Sequence, residues 1–247
     1  NYDVSNTNNA SMGAQSPTEF NAGSHGFLQN TFNIDASKKI NNFNIAFGGE
    51  WRFEQYQIKS GEEASYKNYG LVSGAAGGAQ SFIGFSNDNA LKKSRNSEAL
   101  YADVSYDLEK FNVDAAARFE NYSDFGSALT GKLALRYELF NNFSLRGAVG
   151  TGFRAPSLQQ QYFNNSYSDI STSGSGIVNK GIFTNDSAIA QEIGFDKLKE
   201  EKSVNASAGF TFKPVDKLFI TLDGYLIKVK DRIVITSQFS DPSFAAY

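Results

Sequence analysis

Phe143-Ser144-Leu145-Arg146-Gly147-Ala148-Val149-Gly150-Thr151-Gly152-Phe153-Arg154 changes character at every step, and the alternation stops at Ala155-Pro156-Ser157. Phe143, Leu145, Gly147, Val149, Thr151 and Phe153 make one face, and Ser144, Arg146, Ala148, Gly150, Gly152 and Arg154 the other. A period of two belongs to an extended strand whose sides meet different surroundings. One side is apolar and bracketed by aromatic rings, while the other is small or cationic. A wall between lipid and a wet lumen requires this pattern. From Phe143 to Phe153 the chain covers roughly 33 Å, which a tilt near 40° reduces to about 25 Å, the height of a barrel's apolar band.

Seven further segments carry the same alternation: 27–36, 43–58, 98–108, 111–122, 128–139, 203–212 and 218–230. In 98–108, Leu100, Ala102, Val104, Tyr106 and Leu108 oppose Tyr101, Asp103, Ser105 and Asp107. In 128–139, Leu129, Leu133, Leu135, Tyr137 and Leu139 oppose Thr130, Lys132, Arg136 and Glu138. In the central part of each strand the charges fall on one side. A lipid-facing Lys or Arg at the bilayer midplane would cost about 2–4 kcal/mol. Short polar hairpins at 37–42, 107–111, 138–143 and 213–218 alternate with connections at 59–97, 123–127 and 155–202, two of them very long. Short turns at one end and long loops at the other are the two rims of an outer-membrane barrel. Compact soluble domains seldom carry structureless loops of that length.

Composition agrees with strands. The chain has 22 Phe and 12 Tyr against one Trp, and 22 Gly against 4 Pro. No apolar run reaches the length of a membrane helix. The net charge of -3 gives no electrostatic reason for a nucleic-acid partner. The absence of Cys excludes disulfides, thiolate metal sites and a Cys nucleophile. In the loops, 70–79 is glycine-rich and reads as mobile, 164–180 is rich in Ser, Asn and Gly, and Asn185-Asp186-Ser187 is placed to cap a short helix over 188–193.

Around Arg154 the residues resemble a known family. Leu145-Arg146-Gly147, then Thr151-Gly152-Phe153-Arg154-Ala155-Pro156-Ser157-Leu158 and Gln161-Tyr162-Phe163, resemble the barrel of TonB-dependent outer-membrane receptors, in which a strand ends in such a segment and turns into an extracellular loop. Leu198-Lys199 through Glu201-Lys202-Ser203 to Ala208-Gly209-Phe210 resembles the family's next up-strand, with Glu200 where the family often has Pro. Lys230-Asp231-Arg232-Ile233-Val234 resembles the segment after the following strand. The resemblance runs from about residue 42 to 234. It implies an all-β, antiparallel up-and-down transmembrane barrel of 22 strands, with a plug, coupled to the TonB complex. It also implies import of a scarce nutrient: a siderophore, haem, cobalamin, an oligosaccharide or a peptide. Residues 1–247 supply about eight of those strands, without plug, TonB box or closing strand. The up-down count puts both ends of the chain on the long-loop side, with 1–26 and 241–247 as parts of extracellular loops. An open eight-stranded sheet leaves unpaired edges in hydrocarbon, so such a piece is not expected to insert by itself. The readings set against this one are a small non-TonB barrel, porin or adhesin, and a soluble β-sandwich that binds carbohydrate.

No catalytic centre, cofactor or metal site is expected. His25 has no second ligand near it and reads as a solvent-exposed loop residue. Asn87-Asp88-Asn89 lacks the Gly and terminal Glu of an EF-hand loop. Arg146 and Arg154 face the lumen and are candidates for contact with a plug or a ligand, although pairing with wall carboxylates is the preferred reading. Asp103, Asp107, Asp114, Arg118, Glu120, Lys132, Arg136 and Glu138 read as interstrand ion pairs. Candidate ligand contacts are the loop aromatics Tyr66, Tyr69, Tyr162, Phe163 and Tyr167, with Phe82, Phe85 and Phe183 beside them, since rings stack on sugars and aromatic chelators. Packing within their own loops is the equal alternative.

Overall fold

The computed structural model describes residues 1–80, 82–170 and 177–239. In chain order the elements are β1 (Asp3–Ser5), a 3-10 helix (Ala10–Gln15), β2 (Glu19–Asn21), β3 (Ser24–Ile40), β4 (Phe43–Lys59), α1 (Glu63–Tyr66), β5 (Leu91–Leu108), β6 (Phe111–Tyr122), β7 (Gly126–Phe140), β8 (Phe143–Arg154), α2 (Leu158–Tyr162), β9 (Asn165–Ile170), β10 (Ile177–Ile182), α3 (Ala188–Glu192), β11 (Glu201–Val215) and β12 (Leu218–Lys230). Eight strands form one antiparallel sheet in the order β12-β11-β8-β7-β6-β5-β4-β3. Each strand pairs with the next strand of the sheet along the chain, as an up-and-down wall requires, with β9 and β10 forming a separate pair between β8 and β11. The two edges, β3 and β12, do not meet, so the wall is an open segment of a barrel. The other two sheets among the described residues, β1 with β2 and β9 with β10, have two short strands each, too few for the second layer of a sandwich.

All four short connections have two residues: Asn41-Asn42, Glu109-Lys110, Asn141-Asn142 and Asp216-Lys217. The expected hairpin segments are wider because they take in polar residues such as Lys38, Lys39, Asp107, Glu138 and Lys213, which lie in the strands behind the apolar residues that flank each turn. Asn41 takes a left-handed backbone, φ 51°, which Asn tolerates well. Aromatic rings gather at this end of the wall. Phe43 stacks against Tyr106 at 4.4 Å and Phe143 against Phe210 at 5.6 Å, forming one girdle.

Several strands outrun their expected limits. Segment 27–36 extends to Ser24–Ile40 because Lys38 and Lys39 pair with Ile45 and Asn44 instead of forming a turn. Segment 98–108 begins at Leu91, with Lys92 to Ser97 laddered to β4 although they lack an apolar face. Segments 128–139 and 203–212 extend to Gly126–Phe140 and Glu201–Val215. β11 is antiparallel to β8 and so descends from the long loop; it is a down-strand, not the up-strand expected from the resemblance. Segment 241–247 lies outside the described residues.

The wall is uneven in height, and this positions the site. β3 and β4 have 17 residues and β5 has 18, whereas β6 and β8 have 12. At roughly 3.3 Å per residue the longer strands rise some 15–20 Å further along their own axes. Above Ser97, β5 pairs with β4 alone. A notch therefore opens over β6 and β7, beside a tall panel of β3 to β5.

On the outward face, Ile34, Leu100, Leu129 and Val149 are 67%, 69%, 73% and 55% exposed. A soluble monomer does not leave so wide an apolar surface uncovered. Buried apolar side chains are instead concentrated at the long-loop end, where Tyr56, Ile58, Phe85 and Leu158 pack with Leu91, Tyr162 and Phe163.

Candidate functional site

Three separate pieces of chain meet over the tall panel: residues 1–23, the loop 60–90, and the segment from Ala155 through α2. The first two are joined by backbone. Phe85 donates to the Ala22 carbonyl at 3.0 Å, Gly61 to Phe85 at 2.9 Å and Glu62 to Asn21 at 2.9 Å. Asn9 is fully buried and spends its whole side chain on this junction. Its amide donates to the carbonyls of Ala64 and Lys67 at 2.8 and 2.9 Å, the exposed acceptors at the end of α1, while its Oδ1 accepts from Ser11. Residues 76–79, expected to be part of a mobile stretch, are buried. Ala79 donates to Ser65 at 2.9 Å and bridges to Asn9. Only the Gly70 to Gly74 half of that stretch is exposed.

The third piece turns inward immediately after β8. Ser157 caps α2 in a reciprocal capping box with Gln160. Leu158 is buried, and α2 sits in the notch against β4 and β5. Arg95, on the inner face of β5, holds it there. Its Nε donates to Glu54 at 2.6 Å, and its Nη1 to the Pro156 carbonyl at 2.6 Å and to Asp124 at 3.4 Å. Its guanidinium also lies 5.2 Å from the centre of the Tyr122 ring. Gln161 adds a bond to Asp124 at 2.8 Å. The Arg95 and Glu54 side chains are only 5% and 10% exposed. Nothing local in Lys92-Lys93-Ser94-Arg95 announces this role, because its partners come from residues 54, 124 and 156.

His25 departs from expectation. Its ring is enclosed by Tyr2, Tyr56, Phe85 and Phe163 with centroids 4.8 to 5.7 Å away, and it is not a free loop residue. Nδ1 faces the Tyr56 hydroxyl at 3.4 Å, and the buried Nε2 has no hydrogen-bond partner. The cage lies well above the apolar band, where burial pushes the imidazole below its ordinary value of 6.5.

The candidate ligand residues divide. Phe163 and Phe85 belong to the cage and the buried cluster. Tyr162 is half-buried on α2 with the Lys93 ammonium 5.2 Å above its ring. Burial pushes its phenol up, the Asp124 and Asp186 charges add to this, and Arg95 opposes it. Tyr66 and Tyr69 are half-buried beside α1, with Lys67 5.5 Å from the Tyr69 ring. Phe82 stacks on Tyr2 at 5.4 Å, and Phe183 is exposed. The backbone of Tyr167 lies in β9 opposite Lys180, and its side chain is outside the described part. Ser187 caps α3 as expected, its hydroxyl accepting from Ala190 at 3.3 Å.

Below the cap the inner wall is ionic. Arg154 makes two bonds to Glu201, at 2.9 and 2.6 Å, and Arg146 two to Asp223, at 2.8 and 2.5 Å. Both arginines are thus engaged with wall carboxylates. Arg146 and Asp223 lie on β8 and β12 with Gly209 of β11 in register between them, and a Cβ at Gly209 would strike the Asp223 carboxylate. Gly48 serves the same purpose between Asp35 and Tyr101, which hydrogen-bond over it. The expected ladder is only partly interstrand. Lys132 reaches across to Asp114 at 2.8 Å and Arg118 to Glu50 at 3.2 Å, but Arg118 to Glu120 and Arg136 to Glu138 run along one strand. Asp103 has no ion pair among the described residues. No group of three metal-ligating side chains occurs among them either.

The chain and its fold are similar to those of known proteins. Over 68 residues the chain is 32% identical to the vitamin B12 transporter BtuB of Vibrio cholerae, a stretch covering 28% of this chain and 11% of that protein. Among solved structures it resembles the siderophore receptor PirA from Pseudomonas aeruginosa, with TM-score 0.59 and 16% identity over 84% of this chain and 33% of that one. It also resembles a G324V mutant of the ferric enterobactin receptor PfeA from the same organism, with TM-score 0.60 and 17% identity over 83% and 27%. The chain therefore spans about a third or less of each of these relatives. The family model described as TonB dependent receptor-like, beta-barrel matches residues 1–246, and the chain belongs to that family.

Proposed function

We propose that this chain forms part of the wall and extracellular rim of an outer-membrane receptor that takes up a scarce nutrient. The ligand is captured at the rim and passed into the lumen with energy delivered through the TonB complex to a plug. The observation that carries this is the inward-folded cap. Three segments converge over the lumen on Arg95, Asn9 and the His25 cage, leaving Tyr66, Tyr69 and Tyr162 on half-buried surfaces beside the opening. A structural wall alone needs no such cap. The ligand belongs to the chelate, cofactor, sugar or peptide classes, for which half-buried rings provide a broad stacking surface. The chemistry is binding and transport, and no residue is assigned a catalytic role.

The test uses the full-length receptor in cells with and without TonB, supplied in turn with ferric catecholate siderophore, haem, cobalamin and oligosaccharide. Uptake of one class that disappears without TonB is expected. Uptake that persists at the same rate without TonB would instead favour a passive pore. Replacing Tyr66, Tyr69 and Tyr162 one at a time with Ala is expected to weaken capture of that ligand by about tenfold for a stacked ring. Unchanged affinity would remove that ring from the site. Phe163→Ala is expected to act through the cap, lowering its protection from protease together with any affinity.

A further inference from the structure

The lipid-facing side changes chemistry at the upper ends of β11 and β12. On β12 the outward positions are Leu218, Ile220, Leu222, Gly224 and Leu226, then Lys228 and Lys230. On β11 they are Phe212, Phe210, Ala208, Ala206 and Val204, then Lys202. Register sets Lys202 directly opposite Lys230, and Lys228 opposite Val204. Like charges directly opposite destabilise a sheet unless something neutralises them. Lys202 has Glu200 at 3.0 Å, whereas Lys228 and Lys230 have no ion-pair partner among the described residues.

Height places these ammonium groups. From Leu218 to Leu226 the strand rises roughly 27 Å, or about 20 Å after a 40° tilt, so Lys228 and Lys230 stand at the upper edge of the apolar band. Beneath them lies a groove. Gly147, Ala208 and Gly224 are in register across β8, β11 and β12, and over the small residues Ala208 and Gly224 lies a shallow, mostly apolar cavity of about 420 Å³, lined also by Leu145, Phe210 and Leu222 and by Arg146 and Gly209. On the same face of β5 the corresponding upper position is the acidic Glu98, beside Trp51.

We propose that Lys202, Lys228 and Lys230 bind the phosphorylated head group of an outer-leaflet lipid, one of whose acyl chains lies in the groove over Ala208 and Gly224. Long lysine stems reach along apolar surface to bring their charges together at head-group level. Anionic head groups relieve the repulsion between Lys202 and Lys230. The inference rests on the membrane-spanning reading above.

The full-length receptor, purified in non-ionic detergent, is incubated with diphosphorylated lipid A or with its dephosphorylated form, and bound lipid is counted by native mass spectrometry. Retention of the phosphorylated lipid is expected to fall at least tenfold in the K202Q/K228Q/K230Q variant. A similar fall is expected for the unmodified receptor given dephosphorylated lipid. Lys38→Gln, outward-facing but near the short turns, is expected to leave retention unchanged. Equal retention by the triple variant, or of the dephosphorylated lipid, would overturn the site. If the triple variant does not fold, the two lipids on the unmodified receptor decide the matter. The membrane reading is checked separately, by heat-modifiable migration and outer-membrane fractionation. A receptor that passes both and does not discriminate the phosphates overturns only the lipid site.

Discussion

Arg95 shows how much of the rim depends on one side chain. Arg95→Ala leaves the Glu54 carboxylate buried with no cation, which costs about 3–5 kcal/mol for a buried pair broken on one side. The expected outcome is faster amide exchange and easier proteolysis over residues 156–163. The double substitution Arg95→Met with Glu54→Gln should recover much of that loss, since no bare charge is left behind. His25 gives a pH-dependent prediction. Its folded-state value lies below the ordinary 6.5, so the folded cap holds fewer protons than the unfolded one. The cap keeps its full stability above 6.5 and loses it as pH falls from there through the lower folded value. Protease nicking of residues 60–90 should therefore increase between pH 7.5 and pH 5, and His25→Phe, which keeps a ring in the cage, should abolish the difference. Neither residue's role was legible in the sequence. The partners of Arg95 lie 41, 29 and 61 positions away, and the four rings around His25 come from residues 2, 56, 85 and 163.

Strand interiors could be read directly because alternation is local, and β6, β8 and β12 begin and end where the pattern does. Strand ends could not, and the reason is physical. Above the apolar band a strand has water or folded loop on both sides, so Leu91 to Ser97 show no alternation and look like loop. The two-residue turns were legible as hairpins but not in their geometry. Asn41 sits at φ 51°, where a β-branched residue is strongly disfavoured. Asn41→Val is expected to cost about 1–2 kcal/mol and Asn41→Gly close to nothing, read as the midpoint of urea unfolding of the receptor in lipid. The glycine rows belong to this scale as well. Gly48 and Gly209 leave room for contacts that skip a strand, Asp35 to Tyr101 and Arg146 to Asp223. Gly209→Ala should displace the Asp223 carboxylate from Arg146, visible as loss of their coupling in a double-mutant cycle.

For the molecule as a whole, a single residue step reverses the environment. Val149 faces outward at mid-height, and Ala148 faces the lumen between Ala134 and Ser207. Val149→Arg should cost about 2–4 kcal/mol in lipid while Ala148→Arg costs far less, measured as folding efficiency into bilayers by heat-modifiability. The family and the up-down course of the wall were legible from Phe143 to Pro156 and from the contrast of short and long connections. The cap was not, because its three pieces are far apart in the chain and are related only by where the wall ends.

The tie from Pro156 to Arg95 joins the top of β8 to the tall panel at β5, passing over β6 and β7. It is the chord of an arc. The arc length is fixed by the number of strands and their spacing, so a chord of fixed length permits only one curvature, as a string sets the bend of a bow. Inserting residues between Arg154 and Pro156 would slacken this chord and let the arc from β5 to β8 flatten, and removing one would tighten it. The local bend of the wall between β5 and β8 is thus tied to a short stretch of backbone strung across it.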